Sequence, residues 1–479
     1  MSLKLMREKG VISQAEYEDA LKDLAETTGA QTASQQSVVF GRWATTIYGF
    51  LASDMIFDST RSLTESAGGT LIAQGGTPAG DNSRLTLSVR YSRVGLRMKA
   101  PQFGQVMTSG MLEGDFLGNQ PAVQTGPYPA APVPTSPYTS EGAYFANPTF
   151  RIRHANFKVE TPVADVLFGQ YWQLFGWGPA YQPNSLAVSG MPGEINSRTP
   201  QIRVSKVLKT DPITFELAVA ATRPFQRDSG TPDGQAGLRF SVDSWKGTQT
   251  IASTGTQIAP LSFAVTGLLR NVAVNEFTSG TSKYTNRLTM TAVALDAFVP
   301  IVPGAVIPGN SGKKENSLSF QGEFATGFGY ADMYQSTTFG IGFPTPTGAG
   351  FATTATSVKA TYYSPDIDPG VVTYDAGGKL HGIELTTYIF GAQYYLPYVD
   401  GKLWIAGTYS HQESANSHYY TNGSPGSVLA AIDWFDVNLF TDPVPGVRFG
   451  LEYANTRDTY VNGVFAINHR AQLSGFLVF

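Results

Sequence analysis

Residues 85–91 read Leu-Thr-Leu-Ser-Val-Arg-Tyr. Leu85, Leu87, Val89 and Tyr91 fall on one parity and Thr86, Ser88 and Arg90 on the other, the two-residue period of a β-strand with one apolar and one polar face. The same alternation returns along the chain. Between residues 106 and 116, Leu112 and Phe116 oppose Glu113 and Asp115; Phe150 and Ile152 oppose Arg151 and Arg153. Leu238, Phe240 and Val242 oppose Arg239, Ser241 and Asp243, and Leu318, Phe320 and Phe324 oppose Ser319, Gln321 and Glu323. Near the end, Val447, Phe449, Leu451 and Tyr453 oppose Arg448 and Glu452.

Composition says which solvent the apolar parity meets. Only 15% of the 479 residues are charged, against roughly 25% in soluble domains. No run approaches the ~18 or more apolar residues that a spanning helix needs. The other backbone that satisfies its own hydrogen bonds in hydrocarbon is a closed β-barrel, whose alternating strands escape a hydropathy window; a mean hydropathy of -0.11 fits. Fifty-one Gly, 29 Pro, 29 Phe and 23 Tyr suit turns and pleated surfaces. The absence of cysteine excludes disulfides, thiolate metal sites and a Cys nucleophile. A net charge of -4 and a pI near 5.8 give no footprint for nucleic acid.

Placing strands at 43–59, 84–99, 104–117, 149–159, 163–173, 199–208, 212–222, 235–244, 259–275, 283–299, 315–329, 380–396, 401–411, 429–440, 446–457 and 464–479 gives sixteen. Connections after odd strands are then mostly long (60–83, 118–148, 174–198, 330–379, 412–428) and those after even strands mostly short (100–103, 160–162, 209–211, 397–400, 441–445). That is the pattern of outer-membrane barrels. Connections 245–258 and 300–314 are longer than the pattern wants, and two odd connections are short. The chain closes on Leu473, Leu477 and Phe479, all of the lipid-facing parity, with nothing trailing; this resembles the C-terminal signature of bacterial outer-membrane barrels.

Residues 1–38 form a separate segment ahead of the 39–479 barrel. Leu3, Leu5 and Met6 make a short apolar face ending at Lys9 and Gly10. Ser13 and Glu16 make a capping box, Ile12 and Tyr17 a staple, and Tyr17, Ala20, Leu21 and Leu24 the face of a second helix. The reading is a short helical hairpin on the periplasmic side, with 27–36 as a polar linker. It carries no secretory signal pattern, so a barrel implies a mature form.

Phe150 to Phe157, Phe168 to Trp172, the first strand from Tyr48 to Asp58 and the helical leader together resemble the DcaP-like porins and, more distantly, the porin O/P group. The resemblance spans most of the chain but no motif in it is strict. It implies a homotrimeric barrel of about this strand number, a soluble N-terminal element, and a preference for small anions such as dicarboxylates or phosphate. The leader departs from it in lacking sustained heptads for a long coiled coil.

A porin selects by bore width, lining charge and an inward loop. Parity turns Arg90, Arg151, Arg153, Arg203 and Arg239 into the bore, with Glu113 and Asp115 either pairing with them or forming the opposite wall of a transverse field. Guanidinium suits carboxylate and phosphate because its planar fork stays charged; the bland alternative is solvated charge lining. Residues 174–198, with Trp177, Tyr181 and Met191 as packing matter, are the candidate constriction loop, and the proline-rich 118–148 (Pro121, Pro127, Pro129, Pro132, Pro134, Pro137) is its rival. His154, His381, His411, His418 and His469 show no metal spacing, and neither a P-loop nor a Gly-x-Ser-x-Gly elbow occurs. No catalytic residue, metal or cofactor is assigned. The expected partners are membrane lipid and lipopolysaccharide, two further copies of the chain, and small anionic solutes. The alternatives are a barrel enzyme of lipase or protease type, built on His411 with Ser410 or His469 with Asn468, and a soluble all-β binding protein.

Overall fold

A computed structural model of the chain describes residues 37–40, 43–68, 71–118, 148–187, 190–226, 229–251, 255–275, 284–304, 314–334, 338–341, 367–375, 379–420 and 425–479. The helical leader, its linker and most of the proline-rich 118–148 connection lie outside the described residues.

Sixteen strands form one antiparallel sheet closed on itself: β1 Trp43–Asp58, β2 in two parts (Arg84–Ser88 and Arg93–Lys99), β3 Met107–Asp115, β4 Arg151–Glu160, β5 Asp165–Trp172, β6 Arg198–Thr210, β7 Ile213–Thr222, β8 Asp233–Ile251, β9 Gly255–Asn275, β10 Tyr284–Val302, β11 Leu318–Phe328, β12 Glu384–Tyr395, β13 Leu403–Glu413, β14 Leu429–Val444, β15 Val447–Tyr460 and β16 Phe465–Val478. Each pairs with its sequence neighbours, and β1 closes the barrel on β16 from Phe50 opposite Val478 to Asp58 opposite Arg470. The seam continues to the last residue, where Gly49 and Phe479 exchange N–H to O bonds of 2.9 and 3.0 Å. A short strand, Ser37–Phe40, pairs with the start of β1.

The connections alternate as expected. Only residues 252–254 separate β8 from β9, because β8 runs on to Ile251; its Val242-to-Lys246 register shift absorbs the irregular middle that looked like loop. The connection between β10 and β11 stays long on the short-turn rim.

The outward parity carries the apolar band: Leu51 pairs with Leu477 and Met55 with Leu473 across the seam, all exposed, as are Leu85, Leu87 and Phe479. Two of the irregularities that break the period lie on β2–β4. In β2 the ladder stops after Ser88, the N–H of Ser92 donates to the Val89 carbonyl at 3.0 Å, and Arg90 and Tyr91 both turn inward. Tyr91 therefore does not share the lipid face of Leu85, Leu87 and Val89; it is 2% exposed. Between β3 and β4 the register steps from Glu113 opposite His154 to Gly114 opposite Ile152, so Arg153 is an extra residue and faces the interior together with His154.

Leu451 and Leu473 are cross-strand partners in the outward band. Arginine at either position should cost about 2–4 kcal/mol in a bilayer. The temperature at which the folded band of an unboiled gel sample converts to the unfolded one should fall in L451R; an unchanged temperature would mean that this face does not meet lipid.

Candidate functional site

The interior of β2–β6 is a wall of arginines. Glu113 receives Arg153 Nε at 2.7 Å and the Tyr48 hydroxyl at 2.9 Å, with Arg93 Nε at 3.7 Å. Asp115 takes Arg151 through two nitrogens at 2.9 and 2.7 Å, and Arg153 Nη1 at 3.1 Å. Arg198 lies over the Trp172 ring at 4.7 Å, the ring that Arg153 also approaches at 5.7 Å, and Arg97 covers Tyr48 at 4.1 Å. Four guanidiniums (Arg93, Arg151, Arg153, Arg198) thus gather around two carboxylates, stiffened by bidentate pairing and by aromatic faces. Tyr48 reaches Glu113 because Gly95 leaves room: a Cβ there would lie 2.4 Å from the Tyr48 ring.

The connection between β5 and β6 crosses the bore. Gly176, Trp177 and Gly178 take three successive left-handed conformations (φ 73°, 49° and 64°), which only glycines accept cheaply, and they turn the chain inward. The surrounding wall supplies acceptors for its buried N–H groups. Gln235 Oε1 takes Leu174 and Phe175 at 2.8 and 3.0 Å, Thr266 takes Gly176 at 3.0 Å, Glu323 takes Ile195 at 3.0 Å, and Glu452 takes Leu186 at 3.0 Å and the Ser185 hydroxyl at 2.9 Å. Three wall glycines receive its side chains: a Cβ at Gly237 would meet Trp177 at 2.4 Å, at Gly391 Pro183 at 2.7 Å, and at Gly450 Leu186 at 2.7 Å. Within this loop, burial pushes the Glu194 carboxyl up to about 7, only partly offset by the Met191 N–H and the charge of Arg198, and pushes the Tyr181 hydroxyl up to about 12.

The connection between β1 and β2 also folds in. Arg470 grips Asp58 at 2.8 and 2.9 Å and donates to the Thr64 and Glu65 carbonyls, while Asp458 accepts the Ile72 N–H at 2.7 Å. Ala67 packs against Ala187 and Met191 of the crossing loop.

Every arginine expected in the bore is inside, and each is held. Arg151 and Arg153 share Glu113 and Asp115, so these acids join the basic wall rather than face it. Arg90 binds Glu65, Arg203 donates to Gln201 at 3.0 Å and to the Trp172 carbonyl, and Arg239 pairs with Glu216 under the Trp177 ring. Trp177, Tyr181 and Met191 are buried in the connection between β5 and β6. Parity missed Arg93 and Arg97, because the β2 break shifts the inward face from even to odd positions, and missed Arg198 and Glu65, which sit in or beside connections. The glycines at 237, 391 and 450 were a signal in hand: glycine inside a strand marks close approach of another segment. The histidine pairs split as strand geometry requires. Ser410 and Asn468 point inward, whereas His411 binds Asp433 at 2.8 Å and His469 binds Tyr453 at 2.8 Å on the outer face. Among the described residues no three His, Asp or Glu side chains meet in a geometry fit for a metal ion.

G450V should dislodge Leu186 and with it the crossing loop. Chymotrypsin should then cut between Trp177 and Met191 in the variant and spare the parent; equal resistance would show that the glycine notch does not seat the loop.

No protein-family model and no curated protein matches the sequence. Among solved structures, the outer membrane channel DcaP of Acinetobacter baumannii aligns over 92% of this chain and 99% of its own at 16% identity, with a TM-score of 0.61. An anion-selective porin from Comamonas acidovorans (10% identity, 91% and 100% covered, TM-score 0.46) and OprB of Pseudomonas putida (11% identity, 90% and 94% covered, TM-score 0.46) align less closely. The likeness to DcaP is one of fold, and that fold is the transmembrane antiparallel barrel that the alternating strands implied.

Proposed function

We propose that the chain is an outer-membrane porin, not an enzyme, that passes small hydrophilic solutes by diffusion and favours small anions such as dicarboxylates or phosphate. The observation that carries this reading is the arginine wall: Arg93, Arg151, Arg153 and Arg198 outnumber Glu113 and Asp115 beside the root of the crossing loop. Guanidiniums held in fixed positions meet carboxylate or phosphate oxygens without first losing side-chain freedom. Arg151 keeps 27% of its side chain exposed despite its bidentate pair, against 16% for Arg93 and 5% for Arg153, and so is more open to a passing solute than either. Lipid and lipopolysaccharide against the apolar band, assembly as a homotrimer and a periplasmic 1–38 segment complete the proposal.

Planar-bilayer recording tests it. The parent should open in steps with an anion-selective reversal potential. Neutralising Arg151 and Arg153 together leaves Glu113 and Asp115 short of partners and should move the potential toward cations. One charge at contact distance in water is worth about 1 kcal/mol, so the permeability ratio should change roughly five-fold per charge. A silent parent would defeat the porin reading; a conducting but cation-selective parent would defeat the anion preference alone.

A further inference from the structure

The chain carries a carboxylate receptor filled by one of its own carboxylates. Glu65, on the inward-folded connection after β1, is buried to 1% exposure. Its Oε1 accepts the Ser88 hydroxyl at 2.7 Å and Arg90 Nη1 at 3.0 Å, and its Oε2 lies 3.2 Å from the same nitrogen. Its carbonyl accepts the Tyr91 hydroxyl at 3.1 Å and Arg470 Nη1 at 3.2 Å. The receptor is preorganised from the wall side. Arg90 Nε and Nη2 are fixed by the carbonyls of Phe116 and Gly118 at 3.2 and 3.3 Å, and Ser88 and Arg90 share the inward parity of the first part of β2. Arg470 is held by Asp58, so its charge is answered locally, whereas the carboxylate answering Arg90 comes from a loop.

A serine hydroxyl and a guanidinium converging on one carboxylate are what a solute carboxylate would need, one step above the Arg151 and Arg153 pairs: Phe116, whose carbonyl fixes Arg90, follows Asp115 directly. We propose that Ser88 and Arg90 form a binding site for small carboxylates that Glu65 occupies as a built-in surrogate, so that a solute anion and the loop compete for it. The inference rests on the porin reading of the barrel and deepens it by assigning a particular anion site.

Succinate is the probe. In planar bilayers with the full chain, E65Q keeps the size of the side chain but removes the carboxylate charge that Ser88 and Arg90 hold. Succinate should then interrupt the current at lower concentration, by about tenfold if one charged hydrogen bond of roughly 1.5 kcal/mol changes hands, and the double variant E65Q/R90Q should lose that gain. E65D, which keeps the charge on a shorter arm, should fall between parent and E65Q and serves if E65Q does not assemble. Unchanged succinate block in E65Q, or a rise in conductance for cations and anions alike without tighter succinate block, would overturn the proposal and leave Glu65 a latch only. A silent parent would instead fail the porin reading, and calorimetry of succinate with detergent-solubilised parent and E65Q then decides the site: tighter binding to E65Q supports it, equal binding overturns it.

Discussion

Hydrocarbon offers no partner to a backbone N–H or C=O, and from that absence most of this molecule follows. Each strand must find its hydrogen bonds in its neighbours, the last must find the first, and the seam from Phe50 and Val478 to Asp58 and Arg470 is where the debt closes. Once closed, the sheet has one face for lipid and one for the bore, and a side-chain period of two assigns residues to them. Leu473 and Leu477 face out because Gln472 and Ser474 face in.

Closure at sixteen strands opens an interior wider than wall side chains alone can fill. Loops fold into it here, and they bring N–H groups with them that again need partners. The wall answers with acceptors: Gln235, Thr266, Glu323, Asn438, Glu452 and Asp458 each take a loop N–H. Three of these acceptors are carboxylates, Glu323 on β11 and Glu452 and Asp458 on β15. Carboxylate oxygens are good anchors for backbone amides, and on β3 Glu113 and Asp115 are instead taken up by arginines.

The sequence made the strand count, the lipid-facing parity and the crossing loop legible because each rests on local pattern: alternation, turn length, and aromatic residues set among glycines. It was silent wherever the answer depended on pairing at a distance. Nothing in the order of residues says that Glu65 meets Arg90, or that Leu186 meets Gly450, since both contacts are decided by how a loop crosses space. Parity itself failed at Tyr91, Arg93 and Arg97. An unbroken strand from 84 to 99 would keep one inward face, and the tight turn after Val89 resets it.

That failure explains how the site is built. A regular strand offers the bore one side chain in every two, so three neighbouring regular strands spread their charges thinly. The turn in β2 brings Arg90 and Tyr91 inward together and then hands the inward face to Arg93 and Arg97; the bulge in β4 brings Arg153 and His154 inward together beside Arg151. Both irregularities sit within one sheet width of Glu113 and Asp115, and both raise the density of inward side chains at one height. Burying several like charges so close costs desolvation energy and repulsion that the two carboxylates and the Tyr48, Trp172 and Phe50 rings offset only in part. Regular β-structure would have spread these charges and avoided the cost. The departures from the period are where the wall gathers its guanidiniums around Glu113 and Asp115.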